Sequence, residues 1–215
     1  MKLAILGGSF NPLHIGHAMM ADTMVKEFGY DKILFVPTYI PPHKEILEKN
    51  SAQQRFEMVK SFCDSVPNNI FEVETCEIDR KGISYTIDTL EYIIEKYKNV
   101  ISQKPALLMG EEIAAEFEKW KEPKKISEIS QITIFPRNQI QSSLNYKNKP
   151  SGNYKGDFNV KFDKNAFKFP CVILESPVVS VSSTEIRNRV AENKSFEYLV
   201  PKSVYEYIIN NKLYK

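Results

Sequence analysis

Two glycines and two histidines near the N-terminus are the residues best suited by type and spacing to do chemistry. Gly7 and Gly8 follow an apolar run, and His14 and His17 open a segment of helical periodicity. Glycines let backbone N–H groups approach an anion closely, and a helix N-terminus adds unpaired donors and a positive dipole end. Positions three apart share a helix face, so both imidazoles can point at one ligand. The pattern predicts a phosphate site.

A zinc site on these histidines is poorly supported by the rest of the chain. The only other histidine, His43, lies in a different motif, and no cysteine is placed to complete a ligand set. Cys63, Cys76 and Cys171 are far apart and lack CxxC spacing. We therefore assign no metal ligand and expect reduced thiols, as in a cytoplasmic protein.

Composition excludes several classes of partner. The net charge of the 215-residue chain is only +2, and no basic cluster is interleaved with aromatic residues, so nucleic acid is not expected as a partner. No apolar run is long enough to span a bilayer, and no signal-peptide pattern opens the chain, so no membrane partner is expected either. Whether the protein forms a homo-oligomer stays open.

Short apolar runs alternate with helical patterns, and this alternation positions the glycine turn. Six runs are predicted as buried strands: Leu3–Leu6, Ile33–Val36, Ile70–Val73, Ala106–Met109, Ile132–Phe135 and Val172–Leu174. Strands separated by helices imply right-handed crossovers and a mainly parallel sheet with helices on both faces. The predicted fold class is α/β, Rossmann-like and doubly wound. Such sheets bind ligands at the carboxyl ends of their strands, where the glycine turn lies.

Helical periodicity is clear in three segments and absent from one long stretch. The periodic apolar positions are Ile15, Ala18, Met19 and Val25, then Phe56 and Val59, then Ile87, Leu90, Ile94 and Tyr97. Residues 138–168 are rich in Asn, Lys, Gly, Ser and Tyr and show no period. A long segment of this kind is typical of a surface insertion.

Two further segments have the pattern of a helix start. Ser182 with Glu185 three residues later forms a capping-box pattern. Ser84 is positioned as the N-cap of the predicted helix that carries Ile87 and Leu90. Capping by Ser84 would leave the backbone N–H groups of Tyr85 and Thr86 among the unpaired donors of that helix. Considered alone, each segment is explained by simple capping.

Taken together, these motifs resemble the nucleotidyltransferases of the HxGH group. The string from Gly7 to His17 follows GG(S/T)F(N/D)PxHxGH, and the string ending at Arg187 follows (I/V)SST(x)IR, the second ATP-phosphate motif of that superfamily. The resemblance implies an ATP site of Gly7, Gly8, Ser9, Phe10, His14, His17, Ser182, Ser183, Thr184 and Arg187. Among these, His17 is the first choice for contacting the α-phosphate, followed by His14.

Three motifs narrow the resemblance to the bacterial nicotinate-nucleotide adenylyltransferases. They are the PPHK loop ending at Lys44, the SYT turn at 84–86 and the segment from Gly110 to Trp120. In that family the SYT amides hold the nicotinate carboxylate and the tryptophan stacks on the pyridine ring, both of which are physically sensible. The resemblance implies an acceptor subsite of Lys44, Ser84, Tyr85, Thr86, Gly110, Glu112 and Trp120.

The chain departs from the family pattern at two places. Glu112 stands where relatives usually have Asp, and Thr38-Tyr39 follow the second strand where relatives often have Asn or Gln. The first change moves a carboxylate by one methylene, so the contact proposed for it differs. Core packing is an alternative explanation for Trp120, the only tryptophan of the chain.

The resemblance implies a single nucleotidyltransferase domain over 1–215 that joins nicotinate mononucleotide to the AMP part of ATP, releasing deamido-NAD and pyrophosphate in NAD biosynthesis. The acceptor phosphate is already anionic, so in-line positioning and charge stabilisation by Arg187, Lys44 and Mg²⁺ bound with ATP would suffice. Two alternatives stay open. One is a sister adenylyltransferase that uses nicotinamide mononucleotide or pantetheine phosphate, and the other is a non-catalytic nucleotide-binding protein.

Overall fold

Six parallel strands form the sheet of this protein. The computed structural model describes residues 1–42, 51–136, 167–174 and 181–215. The strands are β1 (Leu3–Gly8), β2 (Lys32–Pro37), β3 (Phe71–Val73), β4 (Ala106–Gly110), β5 (Gln131–Phe135) and β6 (Cys171–Ile173). Their order is β3-β2-β1-β4-β5-β6, and every neighbouring pair is parallel. All six predicted strands are confirmed.

Helices cover both faces of this sheet. They are α1 (Ile15–Lys26), α2 (Ala52–Asp64), α3 (Cys76–Arg80), α4 (Thr86–Tyr97), α5 (Glu111–Ala114), α6 (Pro123–Ile129), α7 (Ser183–Ala191) and α8 (Lys202–Asn210). The hydrophobic core on one face takes side chains from α1, α2, α7 and α8, and the core on the other takes them from α3, α4, α5 and α6. The doubly wound α/β fold is therefore confirmed.

The apolar strand sequences follow from this two-sided burial. In β1, Ala4 and Leu6 join one core while Leu3 and Ile5 join the other, and all four side chains are buried. A strand covered on both faces has no solvent-facing position for a polar residue, so its sequence is an unbroken apolar run.

The predicted helix faces are right in outline and differ at three positions. In α2, Val59 is buried as predicted, but Phe56 is only half-buried. Ile15, Ala18 and Val25 pack against the core, but Met19 lines the cavity described below. In α4 the buried position is Ile93, whereas Ile94 is only half-buried. Helical periodicity fixes a face to within one residue, and the packing of the neighbouring element decides which side chain points inward.

The sheet order creates a crevice between β1 and β4. The chain moves outward from β1 to β3, then returns to the centre at β4 and moves outward the other way to β6. Ligands of open parallel sheets bind outside the carboxyl ends of the strands at this switch point. β1 ends at Gly8 and β4 ends at Gly110, so the glycine turn lies at the crevice.

The predicted insertion over 138–168 lies outside the described residues except for its last two positions. Phe167 is one of these two, and its ring lies 5.7 Å from that of the buried Phe117, centroid to centroid. Phe169 packs edge-on against the same ring at 5.0 Å. Where the described chain resumes, it is therefore anchored to the core beside α5.

Two observations bear on the broader class of protein. All three cysteines lie in the described part of the chain and none forms a disulfide; burial raises the pKa of both Cys63 and Cys76 to about 12, so these thiols stay protonated at neutral pH. Across the described ranges, no helix combines the length and the apolar character needed to cross a bilayer.

Candidate active site

One cavity at the β1–β4 crevice brings the predicted site residues together. Its walls come from the ends of β1 and β4, the starts of α1, α4 and α7, and the segment after α5. The predicted residues that line it are Gly7, Gly8, Ser9, Phe10, His14, His17, Ser84, Tyr85, Thr86, Gly110, Glu112, Trp120, Ser182, Ser183, Thr184 and Arg187. Lys44 lies outside the described residues. Residues far apart in sequence therefore share one site, while their contacts with ligands stay predictions.

The β1–α1 loop is anchored by an aromatic side chain. Phe10 has a φ of +47°, and its ring is 2 % exposed, packed at 5.8 Å from Phe35 and edge-on at 5.1 Å from His17. A Cβ added at Gly8 would approach this ring to 3.3 Å, whereas one added at Gly7 would meet no protein atom within 4 Å. Gly7 therefore leaves open space toward the cavity, and the buried phenyl ring holds the loop backbone in place.

The two histidines form a stacked pair at the start of α1. Their ring centroids are 3.8 Å apart, and the His14 backbone N–H donates to His17 Nδ1 over 3.2 Å. A nitrogen that accepts a hydrogen bond carries no proton, so the proton of the neutral His17 ring lies on Nε2. His17 can thus offer an N–H donor. A Cβ at Gly16 would lie 3.1 Å from the His14 ring, so glycine at this position makes room for the imidazole.

The predicted capping box at the start of α7 is half formed. Ser182 is the N-cap, and its hydroxyl accepts from the Glu185 backbone N–H over 3.2 Å. The carboxylate of Glu185 pairs with Arg189 at 3.0 Å. The helix start is therefore capped from one side.

Side chains of α7 bind the backbone of the β1–α1 loop directly. Ser183 Oγ donates to the Pro12 carbonyl over 2.9 Å, and Arg187 Nη1 donates to the Asn11 carbonyl over 2.8 Å. Arg187 Nη2 also donates to Thr184 Oγ1 over 3.2 Å. The two motifs predicted to bind ATP are thus joined across 171 and 176 residues of chain.

The prediction that Ser84 caps α4 is wrong. The helix begins at Thr86 with Tyr85 as its N-cap, and no side chain caps it. The Ser84 hydroxyl instead accepts from the Tyr39 backbone N–H over 3.2 Å, and the Ser84 N–H donates to the Ile40 carbonyl over 2.9 Å. The serine therefore joins the helix start to the segment after β2. Within the described ranges, the N–H groups of Tyr85 and Thr86 donate to no protein acceptor.

Trp120 has contacts that fit both of its explanations. Its half-buried ring lies 5.2 Å from that of Phe117, while the residue also lines the cavity. Beside it, Lys121 Nζ lies 4.7 Å above the Tyr85 ring centroid and 3.0 Å from the Asp88 carboxylate. The tryptophan can pack on the core with one face and contact a ligand with the other.

Sequence reasoning missed Glu77, a buried carboxyl on the same wall. Glu77 is 6 % exposed and lines the cavity, and its Oε1 accepts from Thr89 Oγ1 over 2.7 Å. Burial raises the pKa of this carboxyl, although the Thr89 and Ser84 hydroxyls and the charge of Arg80 oppose that shift. No local pattern marks an acidic residue on a five-residue helix, and the packing of α3 against β2 and α4 places it here.

Comparisons with known proteins identify the family of this chain. A cytidylyltransferase-like family model matches residues 5–189. Two proteins named "probable nicotinate-nucleotide adenylyltransferase" match over the full length of both chains: one from Treponema pallidum, 36% identical over 215 residues, and one from Dictyoglomus thermophilum, 38% identical over 214.

A solved structure has the same fold. The nicotinic acid mononucleotide adenylyltransferase of Plasmodium falciparum, complexed with NaAD, has a TM-score of 0.74 at 18% identity, covering 99% of this chain and 97% of that one. At this identity the likeness concerns the fold alone. From the family model and the full-length relatives, the chain belongs to the cytidylyltransferase-like family and, within it, to the nicotinate-nucleotide adenylyltransferases.

Proposed function

We propose that this protein transfers the adenylyl group of ATP to nicotinate mononucleotide, giving deamido-NAD and pyrophosphate. Two relatives named for this activity, as probable nicotinate-nucleotide adenylyltransferases, are 36% and 38% identical to the chain over their full length. The observation that carries the proposal is the pair of bonds from Ser183 and Arg187 to the β1–α1 loop. These bonds bring two helix starts to one wall of a cavity whose other wall holds a third, that of α4.

ATP occupies the wall formed by the β1–α1 loop and α7 in this proposal. Backbone N–H groups at a glycine turn and at helix starts suit phosphate oxygens, and the guanidinium of Arg187 matches them in geometry. His17 donates from Nε2 to the α-phosphate. The proposed ATP contacts are Gly7, Gly8, Ser9, Phe10, His14, His17, Ser182, Ser183, Thr184 and Arg187.

Nicotinate mononucleotide occupies the opposite wall. The N–H groups of Tyr85 and Thr86 stand at the start of α4, a helix of 12 residues whose dipole favours a carboxylate there. Trp120 stacks on the pyridine ring. Ser84, Gly110 and Glu112 complete the proposed pocket within the described residues, and the contribution of Lys44 to phosphate neutralisation stays a prediction.

The reaction needs positioning and charge stabilisation rather than a general base. An oxygen of the acceptor phosphate, already anionic, forms a bond to the α-phosphorus of ATP. The bond from that phosphorus to the bridging oxygen breaks, and pyrophosphate leaves with the electron pair. Donors fixed in advance around the α-phosphate stabilise the charge that develops in this transfer.

Magnesium would enter bound to ATP. Across the residues that the structure describes, no group of three His, Cys, Asp or Glu side chains could hold a metal ion. The donor set of the cavity thus fits an ion carried on phosphate oxygens and water, which Mg²⁺ prefers. When bound there, the ion neutralises the charge of the triphosphate.

We further propose that the chain acts as a single domain, in the cytoplasm.

A panel of acceptors tests the function. Pyrophosphate release from ATP and Mg²⁺ is measured with nicotinate mononucleotide, nicotinamide mononucleotide and pantetheine phosphate, with EDTA as the metal-free control. We expect the highest kcat/KM with nicotinate mononucleotide and no release in EDTA. Faster release with another acceptor would identify a sister enzyme. No release with any acceptor, although ATP binds, would favour a non-catalytic nucleotide-binding protein.

A further inference from the structure

A buried arginine contacts the backbone of the β1–α1 loop. Arg55 on α2 is 4 % exposed and does not line the cavity. Its Nη1 donates to the Ser9 carbonyl over 2.8 Å, and its Nη2 donates to the Tyr39 carbonyl over 3.1 Å. One guanidinium therefore holds the backbone at two places, just after β1 and just after β2.

The bond to Ser9 sets the direction of the next backbone donor. The Ser9–Phe10 peptide is trans, so its carbonyl and its N–H point in opposite directions. Because the Ser9 carbonyl faces Arg55 outside the cavity, the Phe10 N–H faces the other way, toward the cavity that both residues line. Throughout the described ranges, no protein acceptor takes a hydrogen bond from this N–H.

We propose that Arg55 is a positioning residue that keeps the Phe10 N–H aimed at the α-phosphate during adenylyl transfer. The inference rests on the proposed function. Without the guanidinium, the peptide can turn over, which would bring the Ser9 carbonyl oxygen to face the phosphate and repel it. Such a turn would also release Phe10 from its φ of +47°, a region that bulky residues rarely adopt.

The second bond explains why an arginine stands at this position. The bond to the Tyr39 carbonyl fixes the plane of the Arg55 guanidinium. The backbone N–H of Tyr39 in turn donates to Ser84 Oγ. The orientation of the Ser9–Phe10 peptide is thus tied to the segment that holds the acceptor turn. Lysine offers one compact ammonium in place of a planar fork and cannot reproduce both bonds at these directions.

Kinetics of two variants test the proposal. Arg55→Met removes both bonds, and Arg55→Lys keeps the charge. Loss of one fixed donor to a developing charge lowers kcat by about 10²–10³, so for an indirect loss we expect Arg55→Met to lower kcat about ten- to a hundredfold. The KM for ATP should stay within about threefold, and Arg55→Lys should lie between the wild type and Arg55→Met.

The matched control is Arg189→Met. Arg189 also donates to a backbone carbonyl, that of Ser195 at 3.0 Å, but it lies outside the cavity lining. We expect this variant to lose stability and keep its kcat. The inference is overturned if folded Arg55→Met retains the wild-type kcat, or if only its KM for ATP rises.

A spectroscopic readout separates this inference from the proposed function. The protein is labelled with ¹⁵N-phenylalanine at its 13 positions, and Phe10→Tyr identifies the Phe10 amide resonance. We expect saturating ATP with Mg²⁺ to shift this resonance in the wild type and not in Arg55→Met. Equal shifts in both proteins overturn the inference even if turnover is lost. A wild type that shifts but turns over no acceptor contradicts the proposed function alone.

Discussion

The two walls of the cavity are built in different ways. On the ATP wall, the nine-residue α7 and the 13-residue α2 supply side chains that bind backbone carbonyls of the β1–α1 loop. Three such bonds, from Ser183, Arg187 and Arg55, have lengths between 2.8 and 2.9 Å. The acceptor wall joins the start of the 12-residue α4 to three short elements: α3 with five residues, α5 with four and a 3₁₀ turn of three residues, Phe117–Lys119.

We infer that this difference follows the task proposed for each wall. Phosphoryl transfer is accelerated by donors that stand in place before charge develops, so the backbone that carries them must be held from behind. Recognition of an aromatic ring depends more on side-chain surface. On the acceptor wall Ile113 is 47 % exposed and Trp120 is half-buried, so apolar surface is available to a ligand there.

The largest effect is expected at His17, on the wall formed by the β1–α1 loop and α7. We expect His17→Ala to lower kcat about a hundredfold or more, because a fixed donor to the α-phosphate is lost. His17→Gln places an amide N–H near the position of Nε2 and should recover part of the rate. His17→Asn reaches only as far as Nδ1 and should not. Wild-type turnover of His17→Ala would remove this residue from the mechanism.

Two glycine variants separate a position that faces open space for a ligand from one that makes room for a side chain of the protein. Gly7→Ala meets no protein atom within 4 Å, so its melting temperature should match that of the wild type while its KM for ATP rises about tenfold or more. Gly16→Ala places a Cβ 3.1 Å from the His14 ring, so its stability and its kcat should both fall. An unchanged KM for ATP in Gly7→Ala would contradict the proposed position of the triphosphate.

Trp120 tests whether the acceptor wall acts separately. We expect Trp120→Ala to raise the KM for nicotinate mononucleotide about tenfold through lost stacking and to leave the KM for ATP nearly unchanged. Trp120→Phe should restore most of the affinity. Steady-state kinetics with each substrate varied in turn measure both constants. An equal rise in both would show that Trp120 is a core residue.

The smallest effect concerns the buried carboxyl of the acceptor wall. Burial raises the pKa of Glu77 above its ordinary value of 4.5, so the folded state binds this proton more tightly than the unfolded chain. The wild type therefore loses stability as pH rises through the folded-state pKa, and Glu77→Gln does not. We expect the unfolding free energy of the variant, relative to the wild type, to grow as pH rises from about 4.5.

Urea unfolding across this pH range measures that difference. Asp79→Asn removes an exposed carboxyl from the same helix and serves as the control. A difference between Glu77→Gln and the wild type that stays constant with pH would contradict the assignment.

The elements and the motifs of this protein were predictable because their signals are local. Apolar runs of three or four residues mark strands covered on both faces, and a glycine turn before a histidine pair marks a helix start that can take an anion. Local signals failed at Ser84, where capping was predicted, because the competing donor was the backbone N–H of Tyr39, 45 residues away. They were silent at Glu77 and Arg55, which belong to no recognisable pattern.

By itself the sequence determined the α/β class, the six strands, the two motifs expected to hold ATP and the resemblance to an adenylyltransferase family. Only the tertiary structure decided how these parts meet: Arg187 on the Asn11 carbonyl, Ser183 on that of Pro12, and Arg55 on that of Ser9. The physical reason is that periodicity and capping act within a few residues of chain. These bonds span from 46 to 176 residues and depend on where the sheet brings each backbone carbonyl.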